Sequence, residues 1–314
     1  EVMQEFADIA AVGTVADMVP LVGENRKIVL YGLRLLNTFR KPGIEAILEK
    51  AGLADKTLDS TNISFGIAPR INAAGRMGTA ERALDLLLAD DPYSASEMAE
   101  EVNVMNTQRH TEEDKIFNEA VAYLQDHSEL AHLPILVVSG KGWHEGVLGI
   151  VASKLLERYL RPVIVLTDKG YLCKGSARSI EGFSIYDAMN SCRDMLNTFG
   201  GHELAAGMSI KPERLDEFRV RINEYAYQMQ SVYPETRIDC KLNPAGLSLD
   251  VLDSIRMMEP FGTGNTSPVF GLYGVVLDSV QGMGNDGRHK KLTFHKDGTH
   301  TQVNGIFFNR PEFP

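Results

Sequence analysis

PILVVSGKGWHEGVLGIVASKLLERYLRPVIVLT, residues 134–167, decides the fold class. Two β-branched runs, PILVVS at 134–139 and PVIVLT at 162–167, are bounded by turn residues. Between them HEGVLGIVASKLLERY at 144–159 has helical spacing. Strand, helix, strand is the pattern of a parallel crossover, because parallel strands need a long connection between them. An α/β domain is expected here.

On the C-terminal side follow GSARS at 175–179, a helical pattern near 184–197, and GGHELAAG at 200–207. The last leads into a strand at 207–210, and a further helix runs from about Pro212 to Gln230. On the N-terminal side, ADIAAVGTVADMVPLV at 7–22 reads as a buried strand leading into a loop. Residues 25–39 and 42–51 read as helices, the second opened by Pro42. ISFGIAPRINAAGRMG at 63–78 reads as a Gly/Pro-rich loop, and 79–90 as a helix with Thr79 at its N-cap and Glu81 in its first turn. Residues 94–126 lack Gly and Pro and predict one long helix bridging two domains. From about Arg237, strand-like segments at 269–280, 290–296 and 301–308 alternate with Gly-rich turns such as GNDG at 284–287. That pattern predicts a small antiparallel barrel or sheet.

The composition sets limits. A chain of 314 residues suffices for two or three domains. A net charge of −10 argues against a protein basic over its whole surface, though it leaves room for a local basic groove. Cys173, Cys192 and Cys240 form no CxxC pair, so neither a zinc site nor a disulfide framework is suggested, and a reducing cytoplasm is the expected location. No apolar run approaches the ~18 residues of a membrane span. The chain opens at Glu1 beside an apolar run and stops at Pro314 just after VNGIFF at 303–308, so it is expected to be a piece of a longer polypeptide.

Several residues are suited to chemistry or binding, each with a plainer structural alternative. In GSARS, Arg178 offers a donor fork that fits phosphate oxygens, and Ser176 and Ser179 add hydroxyls. Gly200 and Gly201 allow close backbone approach, and His202 adds a titratable donor. The alternative is two tight turns. Asp17, at the end of an apolar run, is a metal-ligand candidate or a loop carboxylate, and Asp8 is a weaker one or a solvated strand end. In PRINAAGR at 69–76, Arg70, Asn72 and Arg76 lie on a small-residue loop suited to successive phosphates, or are ordinary surface residues. Trp143 and His144 in GWHEG are candidate nucleic-acid contacts, with the indole either stacking on a base or anchoring a domain interface. His144-Glu145 starts no HExxH, which excludes a zincin. Arg288, His289, Lys290 and Lys291 form a basic run at a strand start, suited to a nucleic-acid backbone or to protecting a hairpin edge. No P-loop, GxGxxG or nucleophile elbow is present.

Taken in order, GTVADMVPL, PRINAAGR, GWHEGVLGIVASKL, GSARS, FGGHELAAG and EPFGTGNTSPVF resemble the RecJ-type single-strand-specific DNA exonucleases of the DHH phosphoesterase superfamily. The resemblance covers essentially the whole chain. It implies the C-terminal part of a DHH catalytic domain at 1–93, a connecting helix at 94–127, a DHHA1 substrate-binding domain at 128–232 and a truncated OB-type β-barrel at 233–314. It implies that Asp17 is a catalytic ligand to an Mn²⁺ or Mg²⁺ pair. It further implies that Arg70 and Arg76 face nucleic-acid phosphates, and that Ser176, Arg178 and the Gly200-Gly201-His202 turn hold the terminal nucleotide and its phosphate. The Asp-His-His motif and the earlier acidic motifs are absent from these residues and are expected before Glu1.

The resemblance thus implies 5′-to-3′ hydrolysis of single-stranded DNA by two metals in repair and recombination, with a helicase and single-strand-binding protein as partners and no membrane. A two-metal reaction needs several ligands, so the chain alone is expected to be inactive or nearly so. Two alternatives are a superfamily phosphodiesterase acting on short oligoribonucleotides or cyclic dinucleotides, and a non-catalytic strand-binding scaffold. The C-terminal β region argues against the first, and an intact upstream motif would argue against the second. An aminoacyl-tRNA editing module explains neither PRINAAGR nor the β region.

Overall fold

The chain begins with a helix where a strand is expected. In the computed structural model, which describes residues 2–229, 235–284, 287, 289–298 and 301–308, α1 (Val2–Ala16) covers most of the 7–22 run. Ala7, Ala11, Val12 and Val15 are buried at helical spacing. A continuous apolar run has no period to separate strand from helix, and here the alanines favour helix. After α2 (Gly23–Thr38), α3 (Pro42–Ala51) opens on Pro42 as expected and closes at Gly52, where φ is 66° and the backbone N–H donates to Glu49 O.

The 63–78 stretch is also helical. Asp59 caps the short α4 (Ser60–Asn62), a π-helical turn follows at Ile63–Ile67, and α5 (Ala68–Met77) completes the run. Pro69 is the second residue of α5, directly after the π-helical turn. In α6 (Glu81–Leu87) the N-cap is Ala80 with no side-chain cap bond, in place of the expected Thr79.

The long helix is present. α7 (Pro92–Asp126) has Pro92 in its first turn, and the Asp91 carboxylate accepts the Ser94 N–H at 2.7 Å. Its buried residues recur every three or four positions: Ala95, Ala99, Val102, Asn106, Arg109, Glu113, Ile116, Ala120 and Leu124. Both ends of this seam are apolar and its middle is polar. The N-terminal half packs on α3 and α5. A short α8 (Ser128–Ala131) then leads into the sheet.

β1 (Leu136–Lys141) and β2 (Val163–Asp168) are parallel, joined by the 3₁₀ turn Glu145–Val147 and α9 (Leu148–Tyr159), so the crossover forms as read. The remaining strands are antiparallel: β3 (Cys173–Arg178), β4 (Leu196–His202) and β5 (Ala205–Ile210), in sheet order β1-β2-β3-β5-β4. Strand alternation sorts the core into two layers. On one face Leu136, Val138, Val163 and Val165 pack with α9 and with Ile116, Ala120 and Leu124 of α7. On the other, Val137, Ile164, Ala177 and Met208 pack with α10 (Ile185–Ser191) and α11 (Leu215–Gln228). These elements, with Glu1–Ala16 and Tyr31–Glu235, make one compact unit.

The second unit comprises Asp17–Leu30 and Thr236–Pro314. β6 (Cys240–Leu242) pairs in parallel with β7 (Phe270–Leu272), and α12 (Leu249–Arg256) lies between them in sequence. β8 (Val275–Met283), β9 (His289–Lys296) and β10 (Gln302–Phe307) form an antiparallel sheet. Within this unit the EPFGTGNTSPVF stretch grips the residues after Asp17. Arg26 donates to Met258 O at 2.8 Å and Glu259 O at 2.7 Å, and Leu21 N–H donates to Thr263 O at 2.7 Å.

Candidate anion and nucleic-acid site

The two small-residue motifs are not separate turns; they are neighbouring strands. GSARS lies largely on β3 and GGHELAAG spans the β4–β5 hairpin. Ser176 pairs with Gly207, which pairs with Gly200, and Arg178 pairs with Ala205, which pairs with His202. Residues opposite one another in antiparallel strands share a face. Ser176, Arg178, Gly200 and His202 therefore lie on one face, with Arg178 and His202 two strands, roughly 10 Å, apart.

The glycines give this face its shape. Gly201 has φ of 146°, and a Cβ there would lie 2.3 Å from Ala205 O, so the hairpin admits no side chain at that position. Gly149, near the start of α9, sits against the site. A Cβ on it would lie 2.9 Å from an Arg178 terminal nitrogen and 3.1 Å from Ser176 Oγ. The N-terminal turn of α9, where backbone N–H groups carry partial positive charge, therefore adjoins both side chains. Arg178 is half-buried and donates to Ser176 Oγ at 3.2 Å and to Ala177 O at 2.8 Å. Burial, and then the charge of Arg76, pull its ionisation below the ordinary guanidinium range.

Arg76 arrives from the last turn of α5. It is exposed and donates to Gly146 O at 2.9 Å, in the turn that opens α9. Arg109 arrives from the polar middle of α7. It is 7% exposed and donates to Glu113 Oε1 at 2.5 Å and to Asn106 Oδ1 at 3.1 Å, while its Nη2 lies 2.8 Å from His110 Nε2. Glu113, 1% exposed, also takes Lys154 of α9 at 3.2 Å. Four elements thus bring Arg76, Arg109, Lys154 and Arg178 into one neighbourhood with a single buried carboxylate. Such a cluster favours an anion, because guanidinium forks match phosphate oxygens and an anion shared among the cations relieves their mutual repulsion.

Other sequence-derived candidates fall elsewhere. Arg70 is half-buried and its donors are occupied by Asn103 Oδ1 at 3.1 Å, Gly66 O at 2.7 Å and Lys50 O at 3.1 Å. It clamps α3, α5 and α7 together. Asn72 is exposed on α5. Ser179 is 9% exposed and its hydroxyl is used internally, donating to Phe183 O at 2.7 Å. Trp143 is 5% exposed with its indole N–H donating to Glu119 at 2.6 Å, so its ring is part of the core and no face is open to a base. His144 is exposed, and its Nδ1 accepts the Gly146 N–H at 3.2 Å. His202 is exposed at the hairpin. Lys290 and Lys291 are successive residues of β9 and project to opposite faces, so they do not form one patch. Arg288 lies outside the described residues.

The carboxylates expected to meet metal do not assemble a centre. Asp17 is exposed in the turn after α1, not buried at a strand end. Asp8 is 3% exposed on α1 and paired with Lys41 at 3.0 Å. Among the described residues no group of three or more His, Cys, Asp or Glu is placed to hold a metal ion. A metal pair needs more donors than that, so these residues do not fit one. The buried thiols of Cys173 and Cys192 are pushed up by burial and stay protonated. No helix is long and apolar enough to cross a membrane, among the described residues.

Arg109, His110, Glu113 and Lys154 escaped sequence reading. Their signal is positional: the three-and-four spacing of buried residues along α7 continues through Asn106, Arg109 and Glu113.

A mixed α/β sheet with a glycine-lined hairpin, a long connecting helix and a small β unit defines a chain of DHHA1-plus-OB type. Residues 132–228 match the DHHA1 domain and residues 238–314 the RecJ OB domain. The chain is RecJ-type in sequence and fold. It is 35% identical over 318 residues to the single-stranded-DNA-specific exonuclease RecJ of Bacillus subtilis, covering 99% of this chain and 40% of that protein. It is 35% identical over 294 residues to RecJ of Thermus thermophilus, covering 94% and 42%. The crystal structure of Thermus thermophilus RecJ with Mn²⁺ superposes with a TM-score of 0.84 at 34% identity, over 99% of this chain and 45% of that one. The Mg²⁺ complex gives 0.82 at 33% identity, over 99% and 47%. The chain spans 40% to 55% of the curated relatives it matches.

Proposed function

We propose that this chain is the strand-gripping part of a single-strand-specific DNA exonuclease that hydrolyses phosphodiester bonds from a 5′ end, in DNA repair and recombination. The observation that carries the reading is the convergence of Arg76, Ser176 and Arg178 at the start of α9, beside an open glycine-lined hairpin. In this reading the end phosphate of the strand binds there. Ser176 and Arg178 donate to its oxygens, Arg76 balances its charge, and His202 meets the terminal nucleotide from β4. The similarity to RecJ proteins named as single-stranded-DNA-specific supports the substrate class.

The domain reading follows the same lines. Residues 1–93 are the end of a DHH catalytic domain, 94–127 the connector, 128–232 the gripping domain and 233–314 the OB region that guides the strand. Divalent metal, Mn²⁺ or Mg²⁺ as in the two Thermus structures, activates water when bound in such enzymes. The described residues do not fit a metal pair. In this reading Asp17 would supply one carboxylate ligand to the metal. A helicase and single-strand-binding protein are the partners this activity would use, and the compartment is cytoplasmic.

The test is binding and cleavage by the 314-residue chain. A 5′-phosphorylated single strand is expected to bind more tightly than its 5′-hydroxyl counterpart and than a blunt duplex, with no metal-dependent degradation. Equal affinity for all three would refute the end-phosphate reading, and robust degradation would refute the assignment of the chain as a gripping part.

A further inference from the structure

We propose that Arg109 is a phosphate-binding residue of the anion site, and that Glu113 is its positioning residue, holding the guanidinium beside Arg76 while tying α7 to α9 through Lys154. This rests on the end-phosphate reading and names two residues it does not use.

The buried seam of α7 changes character along its length. Apolar residues serve its two ends, Ala95, Ala99 and Val102 before and Ile116, Ala120 and Leu124 after. The middle holds Asn106, Arg109 and Glu113, all buried. Packing alone does not call for this, since apolar replacements of a buried ion pair are often neutral or stabilising. The polar stretch falls where α7 passes the turn that Arg76 reaches.

Arg109 is incompletely used. Its Nη1 meets Glu113 and its Nη2 meets Asn106 and His110, yet Nε is buried with no hydrogen-bond partner among the described residues. An unpaired buried donor on a cation is costly in a finished core. The atom has almost no accessible surface, so a phosphate would satisfy it only by drawing the guanidinium outward.

Burial pulls the ionisation of Arg109 down, Glu113 pulls it up and Arg76 pulls it down again. Arg76 acts in the same sense on Arg178. One cation therefore feels both others, and Glu113 is already shared between Arg109 and Lys154. Asp114 meets Lys154 at 3.2 Å from the exposed side. The uncompensated charge sits on the arginines, where a phosphate with two negative charges would balance it.

The probe is a 5′-phosphorylated single-stranded oligonucleotide, labelled at its 3′ end. Its affinity for the 314-residue chain is measured across a salt series, with thermal unfolding followed in parallel. Arg109→Met is expected to weaken binding about tenfold and to lower the slope of log affinity against log salt by about 0.7, one phosphate contact on a single strand. Arg109→Lys, which keeps the charge and loses the fork, is expected to keep the slope and bind more weakly. Glu113→Gln gives opposite signs for the two accounts. A bystander carboxylate predicts tighter binding once its charge is gone; a positioning role predicts weaker binding, with no added loss when combined with Arg109→Met.

An unchanged slope in Arg109→Met, unaltered affinity in Arg109→Lys, or tighter binding by Glu113→Gln would overturn the proposal. Arg178→Met separates the two levels. If it lowers the slope while Arg109→Met does not, only this inference fails. If neither lowers it, the end-phosphate reading fails with it.

Discussion

The β3–β5–β4 hairpin face and the β8–β9–β10 sheet both carry basic residues on antiparallel strands, but they differ in what surrounds those residues. On the first, Arg178 is half-buried and meets Ser176, the start of α9 and the field of Arg76. On the second, Lys290 and Lys291 alternate between faces beside the exposed apolar residues Phe307 and Ile306. A pre-held, partly desolvated cation binds an anion strongly because little ordering remains to be done; an exposed lysine contributes mainly long-range attraction. Specificity for a strand end is therefore expected from the first region, and general attraction to a backbone from the second.

The largest effect expected is on the hairpin itself. Gly201→Val would force a side chain onto the Ala205 carbonyl and is expected to cost about 3 kcal/mol in urea unfolding. A loss below about 1 kcal/mol would show that the β4–β5 turn relaxes easily. Next comes Gly149→Ala, where binding and stability should part company. The added methyl pushes the Arg178 guanidinium and Ser176 Oγ aside, so strand affinity should fall about tenfold. Alanine in a helix should leave stability unchanged or raise it by up to about 1 kcal/mol. A parallel loss of both would mean that Gly149 serves packing alone.

Lys291→Ala probes the second region. Affinity should change by about twofold at most, and stability by no more than about 0.5 kcal/mol. A tenfold loss would make the β8–β10 sheet the stronger grip and invert the comparison. The smallest effect concerns His110, whose ionisation burial and Arg109 push below the usual imidazole range. The unfolded chain then takes up more protons near the ordinary imidazole value of about 6.5. The stability this group contributes is present above that pH and lost as pH falls through its lower folded value. His110→Gln should flatten this slope slightly in melts between pH 7 and pH 5, and an identical pH profile would remove the effect.

The crossover unit was legible because its strands are β-branched and its flanks are Pro and Gly. Residues 7–22 and 63–78 were not: the first is apolar without a period, and in the second Gly66 and Pro69 mimic loop punctuation while serving helix packing and a helix start. Ser176, Arg178 and Arg76 stood out as polar groups among small residues, and their pairing through Gly207 and Ala205 needed the sheet register. Arg109 and Glu113 lie within the stretch read only as one long bridging helix, and only the buried seam of α7 reveals them. Trp143 reads either as a base-stacking platform or as an interface anchor; the ring is in fact buried, and Gly140 leaves room for it, since a Cβ there would lie 2.2 Å from it.

The central claim is that the GSARS strand and its neighbours form a phosphate grip. It is tested most directly by the salt dependence of single-strand binding to the 314-residue chain and to its Arg178→Met variant. The account predicts a slope lower by about 0.7 in the variant, with the preference for a 5′-phosphate lost and the fold retained. A wild-type slope with the 5′-phosphate preference intact would contradict it.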